Sequence, residues 1–406
     1  MMNLLSEGIL SGIVVETNLS RKLTIDGLTQ SYPVYKVRLD ALFFNDKNGR
    51  IATWISEYKS EHGDDSLSRD DDLEKYNSTL EDFIAKSNPE ALKKTQANIK
   101  LVDQREPGVI LNDGRVIDGN RRLTCLRRLS KENDRFKHFE TIILDRSIEN
   151  SAKQIKMLEL SIQHGEESKV DYSPIDRIVG IYSDVIDTQL LTVSEYARSV
   201  NETLQDVNRR VEIAHLIVEF LEFINAPLQF HIAREMQIYS PIEALLPILK
   251  KCRTNDEKED IKISVFTNVL MRSEGDMRLY VRSLKNIIGS AYQEAFIEEQ
   301  RDIAEKVIDN LPPAGEVTDS VIRDVIRADE EIVQRLSVSL EKAQLKVKKT
   351  ETRNRPIQLV EKATEYLEGV DLNILKKLND SDVQRLERQL NILKDITEEI
   401  RGAINV

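Results

Sequence analysis

The chain has 406 residues, of which 40% are hydrophobic and 32% charged, and its formal net charge is −12. This composition predicts a globular protein of two or three domains, and the negative charge argues against a surface built for nonspecific DNA binding. Two cysteines, Cys125 and Cys252, are too few for a disulfide framework. No apolar run is long enough to span a bilayer, so we expect a cytoplasmic protein without a membrane anchor.

The first part of the chain is predicted to form small strands. Residues 8–28 and 33–42 alternate short apolar runs with polar residues, as half-buried strands do. In the loop that follows, Asn48-Gly49 is a turn signal that would present Arg50 on a rigid tip. An ordinary loop arginine is the alternative interpretation of Arg50.

An acidic segment comes next, at residues 60–77. Its carboxylates follow one another in a loop-like stretch without ligand spacing, which favours a solvated surface loop over a metal site. Residues 80–98 then predict a helix that breaks at Pro89. The sequence therefore indicates no metal-binding cluster.

The segment 109–129 carries the most informative pattern. Its first half predicts a hairpin, because two apolar runs flank the turn signal Asn-Asp-Gly. Its second half predicts a helix in which leucines recur every third residue. Between them, the triplet Asp118-Gly119-Asn120 breaks the strand and begins the helix.

The start of this helix is suited to an anion. Arg121 and Arg122 lie in its first turn, immediately after Gly119 and Asn120. First-turn N–H groups and the helix dipole favour negative charge, and two guanidinium groups match phosphate oxygens. The alternative is a surface helix with solvated arginines, since short glycine-containing motifs recur by chance.

Beyond this helix, residues 139–144 are predicted as a strand and residues 147–162 as an amphipathic helix. A polar turn follows, in which His164 could cap the helix, donate to a phosphate or do neither. Ser173 is a good helix N-cap with Pro174 at the first helical position.

The next two helices form a helix-turn-helix candidate. Thr192 and Glu195 make a capping box at the start of the first helix, and residues 204–217 form the second. Arg209 and Arg210 on the second helix are candidate DNA contacts. A purely structural helical hairpin is the rival interpretation, because such hairpins are common.

From residue 227 onward the sequence predicts helices alone, with the clearest linker at Pro312-Pro313-Ala314-Gly315. Apolar stripes in the last helices predict a bundle or short coiled coil for self-association or for docking a partner protein. Packing within one chain is the alternative. We predict three domains, spanning residues 1–170, 171–311 and 316–406.

The strand–Asp-Gly-Asn-Arg-Arg–helix segment resembles the phosphate-binding motif of the ParB/sulfiredoxin superfamily, in which a Gly-x-x-Arg turn holds nucleotide phosphates. The resemblance covers residues 28–217. Asn45 and Arg50 match the spacing of the family's first motif, without its usual prolines. The run Asp171-Tyr172-Ser173-Pro174 is similar to the family's Asp-Leu-Asn-Pro motif.

One box of the family pattern, Glu-Asn-x-Gln-Arg, is not present in this sequence. His164 and Lys169 occupy its place, and Glu166 is one of two carboxylates available there. In the family this box contacts phosphate and metal, so the departure leaves nucleotide identity and hydrolysis open.

The resemblance implies an α+β fold in which a small mixed-sheet domain is followed by a helix-turn-helix-like domain, and the sequence beyond the resemblance predicts an all-helical C-terminal region. It implies a nucleoside triphosphate with Mg²⁺ as the ligand. The implied phosphate-binding residues are Gly119, Asn120, Arg121, Arg122, Arg50, Asn45, His164 and Lys169. Asp118 and Glu166 are the implied catalytic candidates.

Three functions follow from the resemblance. The first is a ParB-like nucleotide-dependent DNA-binding protein that acts as a dimeric switch. The second is an NTP-hydrolysing component (CTP, ATP or GTP) of a prokaryotic DNA-restriction or anti-phage defence system, since such proteins carry a similar Asp-Gly-Gln-Gln-Arg motif. The third is a non-enzymatic scaffold that lost the ligand. Sulfiredoxin chemistry is rejected, because it needs a cysteine where Asn120 stands.

Overall fold

The computed structural model of the chain describes residues 2–25, 28–145, 148–165 and 173–404, without the side chains of residues 148–151 and 163–165. The chain divides into two compact units, Met1–Glu341 and Lys342–Val406. The first of these units extends beyond the Pro312-Pro313-Ala314-Gly315 segment. Val317 and Ile322, beyond that linker, are buried in the first unit.

One six-stranded mixed sheet lies near the N-terminus, in the order β1-β2-β6-β4-β5-β3. The strands are β1 (Val14–Ile25), β2 (Leu28–Arg38), β3 (Phe43–Phe44), β4 (Gly108–Leu111), β5 (Arg115–Asp118) and β6 (His138–Leu144). The pairs β4–β6 and β3–β5 are parallel, and the other pairs are antiparallel.

Helices make up most of the remaining described chain. Those around the sheet are α1 (Ala52–His62), α2 (Leu73–Ser87), α3 (Pro89–Val102), α4 (Asn120–Ser130) and α5 (Ile148–Gly165). Those that follow in the first unit are α6 (Pro174–Ile181), α7 (Val193–Val200), α8 (Leu204–Phe223), α9 (Phe230–Glu235), α10 (Tyr239–Leu249), α11 (Asn255–Met271), α12 (Met277–Ser283), α13 (Gln293–Asp309) and α14 (Asp319–Asp324). The last three are α15 (Glu330–Glu368), which crosses the unit boundary, α16 (Leu372–Leu375) and α17 (Asp380–Ile404). None of the described helices is both long and apolar enough to cross a membrane.

Both faces of the sheet are buried, which explains why its central strands are apolar runs without alternation. Ile110 belongs to a core that includes Leu123 of α4. Its neighbour Val109 belongs to a second core, on the opposite face, that includes Leu158 of α5. Because successive strand side chains point to opposite faces, a continuous apolar run fills both cores.

The α+β class, with an N-terminal mixed sheet and a helical C-terminal region, is confirmed. The hairpin lies where the 109–117 pattern indicated, with β4 and β5 antiparallel. Pro89 separates α2 from α3, as its position predicts. Two details differ: residues 8–28 contain one long bulged strand, β1, and not several small ones, and Ser173 stands at an N-cap position without a side-chain cap hydrogen bond.

A buried carboxylate joins the helical region to α1. Asp176 of α6, only 5% exposed, accepts hydrogen bonds at its Oδ1 from Thr53 Oγ1 at 2.7 Å and from the Thr53 backbone N–H at 3.3 Å. Arg234 of α9 donates to Thr53 Oγ1 at 2.9 Å, and its guanidinium lies 3.9 Å from the centre of the Trp54 ring. One polar cluster therefore connects three helices.

This cluster gives stability a predictable pH dependence. Burial raises the pKa of Asp176 from 3.8 to about 6, and this desolvation outweighs the hydrogen bonds from Thr53 and the charge of Arg234. The folded chain therefore holds this proton at pH values where the unfolded chain has released it, so the free energy of unfolding falls as the pH rises from about 4 to 6. Relative to the Asp176→Asn variant, the free energy of unfolding of the wild type should fall by up to about 3 kcal/mol across this range. Denaturant unfolding of both proteins from pH 4 to 7 measures this, and a difference that stays constant would contradict it.

Candidate functional site

A cavity of about 420 Å³ opens at the start of α4, where β5 ends. Four arginines line it, together with two carboxylates and several small polar side chains. The charged lining residues are Arg21, Arg50, Arg121, Arg122, Glu106 and Asp118. Positive charge therefore exceeds negative charge in this cavity, as a site for a polyanion requires.

The backbone at the cavity wall follows from Gly119. This residue adopts φ 98° and ψ 17°, a left-handed conformation that L side chains rarely adopt, and it caps α4 without a side chain. A Cβ at this position would lie 2.8 Å from Cζ of Phe139. The glycine thus allows a sharp strand-to-helix turn that directs the first-turn N–H groups of α4, which have no acceptor within the helix, toward the cavity.

Asp118 organises two of the four arginines. Its carboxylate, in a residue only 5% exposed, lies 3.0 Å from Nη2 of Arg122 and 3.6 Å from Nη1 of Arg21. Arg122 also donates to the backbone carbonyl of Glu106 at 2.5 Å, and Arg21 donates to that of Pro107. Because the carboxylate is engaged by both guanidinium groups, this geometry fits a positioning role better than water activation.

Arg50 reaches the same cavity from another part of the chain. It lies on a short 3₁₀ helix, Gly49–Ile51, that is capped by the Asn48 side chain, whose Oδ1 accepts from the Arg50 N–H at 3.1 Å. The turn expected at Asn48-Gly49 therefore presents Arg50 as the sequence indicated. Asn45 does not line this cavity. Its Oδ1 accepts from the Lys47 N–H at 3.2 Å, and its side chain faces a neighbouring cavity of about 300 Å³.

Asn120 adds a polar amide to the cavity wall. Its Oδ1 atom is buried and has no hydrogen-bond partner within the described chain. The Oγ1 atom of Thr124, one turn further along α4, is likewise buried and has no hydrogen-bond partner within the described chain. An unsatisfied buried acceptor costs free energy, so a ligand or water in this cavity that supplies a donor would be stabilised.

Cys125 follows on the buried side of α4. Its Sγ lies 3.7 Å from the Leu92 carbonyl oxygen, and burial raises the pKa of the thiol to about 12. A thiol that remains protonated at neutral pH is a poor nucleophile. The structure thus gives an independent reason to reject sulfiredoxin-type chemistry.

Several predicted residues fall outside what the structure describes. Glu166 and Lys169 lie in the gap between residues 165 and 173, as does Asp171. The backbone of His164 belongs to α5, but its side chain is among those not described. Their contribution to the cavity stays a prediction.

The two candidate DNA contacts are both ion-paired. Arg210 Nη2 lies 2.9 Å from Oε1 of Glu202, and its Nη1 bonds the other oxygen of that carboxylate. Arg209 Nη2 lies 3.2 Å from Oε1 of Glu243, although the Arg209 side chain remains 55% exposed. The capping box at Thr192 is present, and α8 continues to Phe223, beyond the end predicted at residue 217.

Sequence reasoning missed Arg21 and Glu106. Arg21 lies on β1, which bulges between Glu16 and Ser20, and nothing in its local sequence distinguishes it from other strand arginines. Glu106 contributes through its backbone carbonyl, which any residue could supply. Only the three-dimensional packing identifies these two.

The described residues contain no group of three or more histidine, cysteine, aspartate or glutamate side chains that could hold a metal ion. No protein-family model matches the chain, and no curated protein matches it. The interpretation of the cavity consequently depends on its own geometry.

Proposed function

We propose that this chain is a ParB-like, nucleotide-dependent DNA-binding protein and that the cavity at the start of α4 binds a nucleoside triphosphate through its phosphates. The observation that carries the proposal is that Arg21 and Arg50, from distant parts of the chain, line one cavity together with Arg121 and Arg122 of the first turn of α4. A solvated surface helix would not gather arginines from three parts of the chain.

The chemistry of the donors fits a phosphate chain better than other anions of similar size. Guanidinium groups bind phosphate oxygens in a bidentate manner, and the helix N-terminus adds backbone donors that are already oriented. Four arginines face only two carboxylates here, and Asp118 is neutralised by its own ion pairs. An excess of positive charge therefore remains for the ligand.

The test is a titration of the full chain with CTP, ATP and GTP in the presence of Mg²⁺, read by calorimetry and by thermal shift. One of the three should raise the melting temperature, because a ligand that binds only the folded state stabilises it. Arg122→Ala should weaken binding at least about tenfold, since a charged hydrogen-bond partner contributes about 1.5–3 kcal/mol.

Arg198→Ala is the matched control, because Arg198 is an exposed arginine on α7 that does not line the cavity. The melting temperature of each unliganded variant shows whether Arg122→Ala still folds. If the folded wild type binds none of the three nucleotides, the proposal fails, and a non-enzymatic scaffold that lost the ligand becomes the favoured function.

A second candidate is an NTP-hydrolysing component of a DNA-restriction or anti-phage defence system that uses the same cavity. It is favoured by the ion pairs of Arg209 and Arg210, which reduce their availability for reading a DNA groove. DNA binding measured by fluorescence anisotropy, with and without nucleotide, separates the two. Loss of DNA binding in Arg209→Ala supports the first, whereas nucleotide turnover without DNA that stops in Asp118→Ala supports the second.

A further inference from the structure

A second arginine-lined cavity, of about 430 Å³, lies in the helical part of the first unit. Its wall is formed by the chain from α9 into α10, by the loop between α11 and α12, and by a short 3₁₀ helix, Ile326–Ala328. It shares no lining residue with the cavity at the start of α4. The charged residues that line it are Arg272, Arg278, Arg327, Glu235 and Asp276.

Both carboxylates of this cavity are engaged by other groups. Oε1 of Glu235 accepts hydrogen bonds from Nη2 of Arg234 at 2.8 Å and from Nε of the same residue at 3.0 Å. Oδ1 of Asp276 caps α12, because it accepts from the backbone N–H groups of Arg278 at 3.0 Å and of Leu279 at 3.1 Å. Neither carboxylate therefore neutralises an arginine side chain of the cavity.

The three arginines consequently carry positive charge that the protein does not balance. Within the described residues, none of them forms an ion pair with a carboxylate. Arg327 is half-buried, and its Nε donates to the Leu270 carbonyl at 2.8 Å. Burial lowers the pKa of Arg327 and the charge of Arg272 lowers it further, whereas Asp319, which raises it, does not line the cavity. An anion bound here would relieve this repulsion.

The loop between α11 and α12 holds Arg272 in an unusual backbone conformation. Arg272 is the C-cap of α11 with φ 52° and ψ 50°, a left-handed conformation in which glycine or asparagine is preferred. The loop is also fixed from α15, where Oγ of Ser337 donates to the Ser273 carbonyl at 2.9 Å and lies 3.0 Å from Oε1 of Glu274. Residues held in such sparsely populated conformations cluster at functional sites.

We propose that this cavity binds a phosphorylated small molecule with at least two negative charges. Guanidinium groups match the oxygens of a phosphate group in geometry and charge. Gln237 and Ser240 line the same cavity and add neutral hydrogen-bonding groups. The volume lies within the range of roughly 300–1,000 Å³ that is typical of small-molecule sites. The proposal is independent of the function proposed for the cavity at the start of α4.

The test is a calorimetric titration of the full chain with pyrophosphate at low salt and without Mg²⁺. In the double variant Arg272→Asn/Arg278→Gln, the number of pyrophosphate ions bound per chain should fall by one relative to the wild type, whatever the cavity at α4 contributes. Arg278→Gln alone should weaken this site at least about tenfold. Both arginines are exposed and their side chains make no hydrogen bond within the described chain, and asparagine tolerates the left-handed backbone, so the variants should fold.

Arg282→Gln is the matched control, because Arg282 is an exposed arginine of the same helix, α12, that does not line the cavity. It should bind pyrophosphate as the wild type does, and circular dichroism should show equal helix content in every variant. An unchanged number of bound ions in the double variant would overturn the proposal, as would an equal loss in Arg282→Gln.

A short DNA duplex distinguishes a free phosphorylated molecule from a nucleic-acid backbone, which offers the same phosphate groups. We expect the double variant to bind the duplex as tightly as Arg282→Gln does. If the double variant loses duplex binding while its pyrophosphate binding equals that of the wild type, the arginines contact a nucleic-acid backbone and the proposal is wrong.

Discussion

Replacing Glu81 by alanine is expected to lower the free energy of unfolding by about 3 kcal/mol, the range typical of breaking a buried ion pair. Glu81 lies on α2 and is 6% exposed. Its carboxylate binds Nε of Arg127 at 3.1 Å and Nε of Arg128 at 2.9 Å, both on α4. Removing it leaves the Arg127 guanidinium, whose side chain is 11% exposed, without its most buried partner.

The neighbouring residue provides the control for this prediction. Asp82 has a side chain that is 69% exposed and lies 3.9 Å from Nη2 of Arg128. Exposed ion pairs of this kind contribute little, so Asp82→Ala should change the free energy of unfolding by less than about 0.5 kcal/mol. Denaturant unfolding of the two variants measures both values, and equal losses would contradict the assigned role of Glu81.

The second large effect is expected at Gly119. A methyl group there would meet Phe139, and the left-handed backbone would strain any L side chain. Gly119→Ala should therefore lower the free energy of unfolding by about 2–4 kcal/mol, from backbone strain and overpacking together. It should also weaken nucleotide binding more than about tenfold, because the first turn of α4 has to move.

Gly12→Ala separates strain from crowding. Gly12 also has a positive φ of 72°, but a Cβ there would have nothing within 4 Å. The Gly12→Ala substitution should lower the free energy of unfolding by only about 1 kcal/mol. It should leave nucleotide binding unchanged, since Gly12 does not line the cavity. If both variants lower the free energy of unfolding equally and neither weakens nucleotide binding, Gly119 does not determine the conformation of the site.

Local sequence was sufficient where a short pattern permits only one conformation. The Asn-Asp-Gly turn, the apolar runs around it and the leucine repeat after Asp118 predicted β4, β5 and α4 closely. Pro89 and the Thr192 capping box fixed helix boundaries for the same reason. In each case the residues that determine the conformation are neighbours in the chain.

Side-chain roles on α4 could not be read in the same way. Arg122 and Arg127 have similar sequence surroundings, yet one lines the cavity and the other binds Glu81 on α2. Asn45 matched a motif spacing but stabilises its own turn. A side chain's role depends on which distant element packs against it, and spacing along one helix does not contain that information.

The sequence by itself determined the hairpin, the glycine turn and the helix that carries the arginines at the start of α4, because each follows from conformational preferences of adjacent residues. Only the tertiary structure decided that Arg21 and Arg50 join those arginines in one cavity, that Asp118 holds two of them, and that burial raises the pKa of Asp176 to about 6. These properties arise from contacts between residues far apart in the chain, where packing and desolvation set the energies.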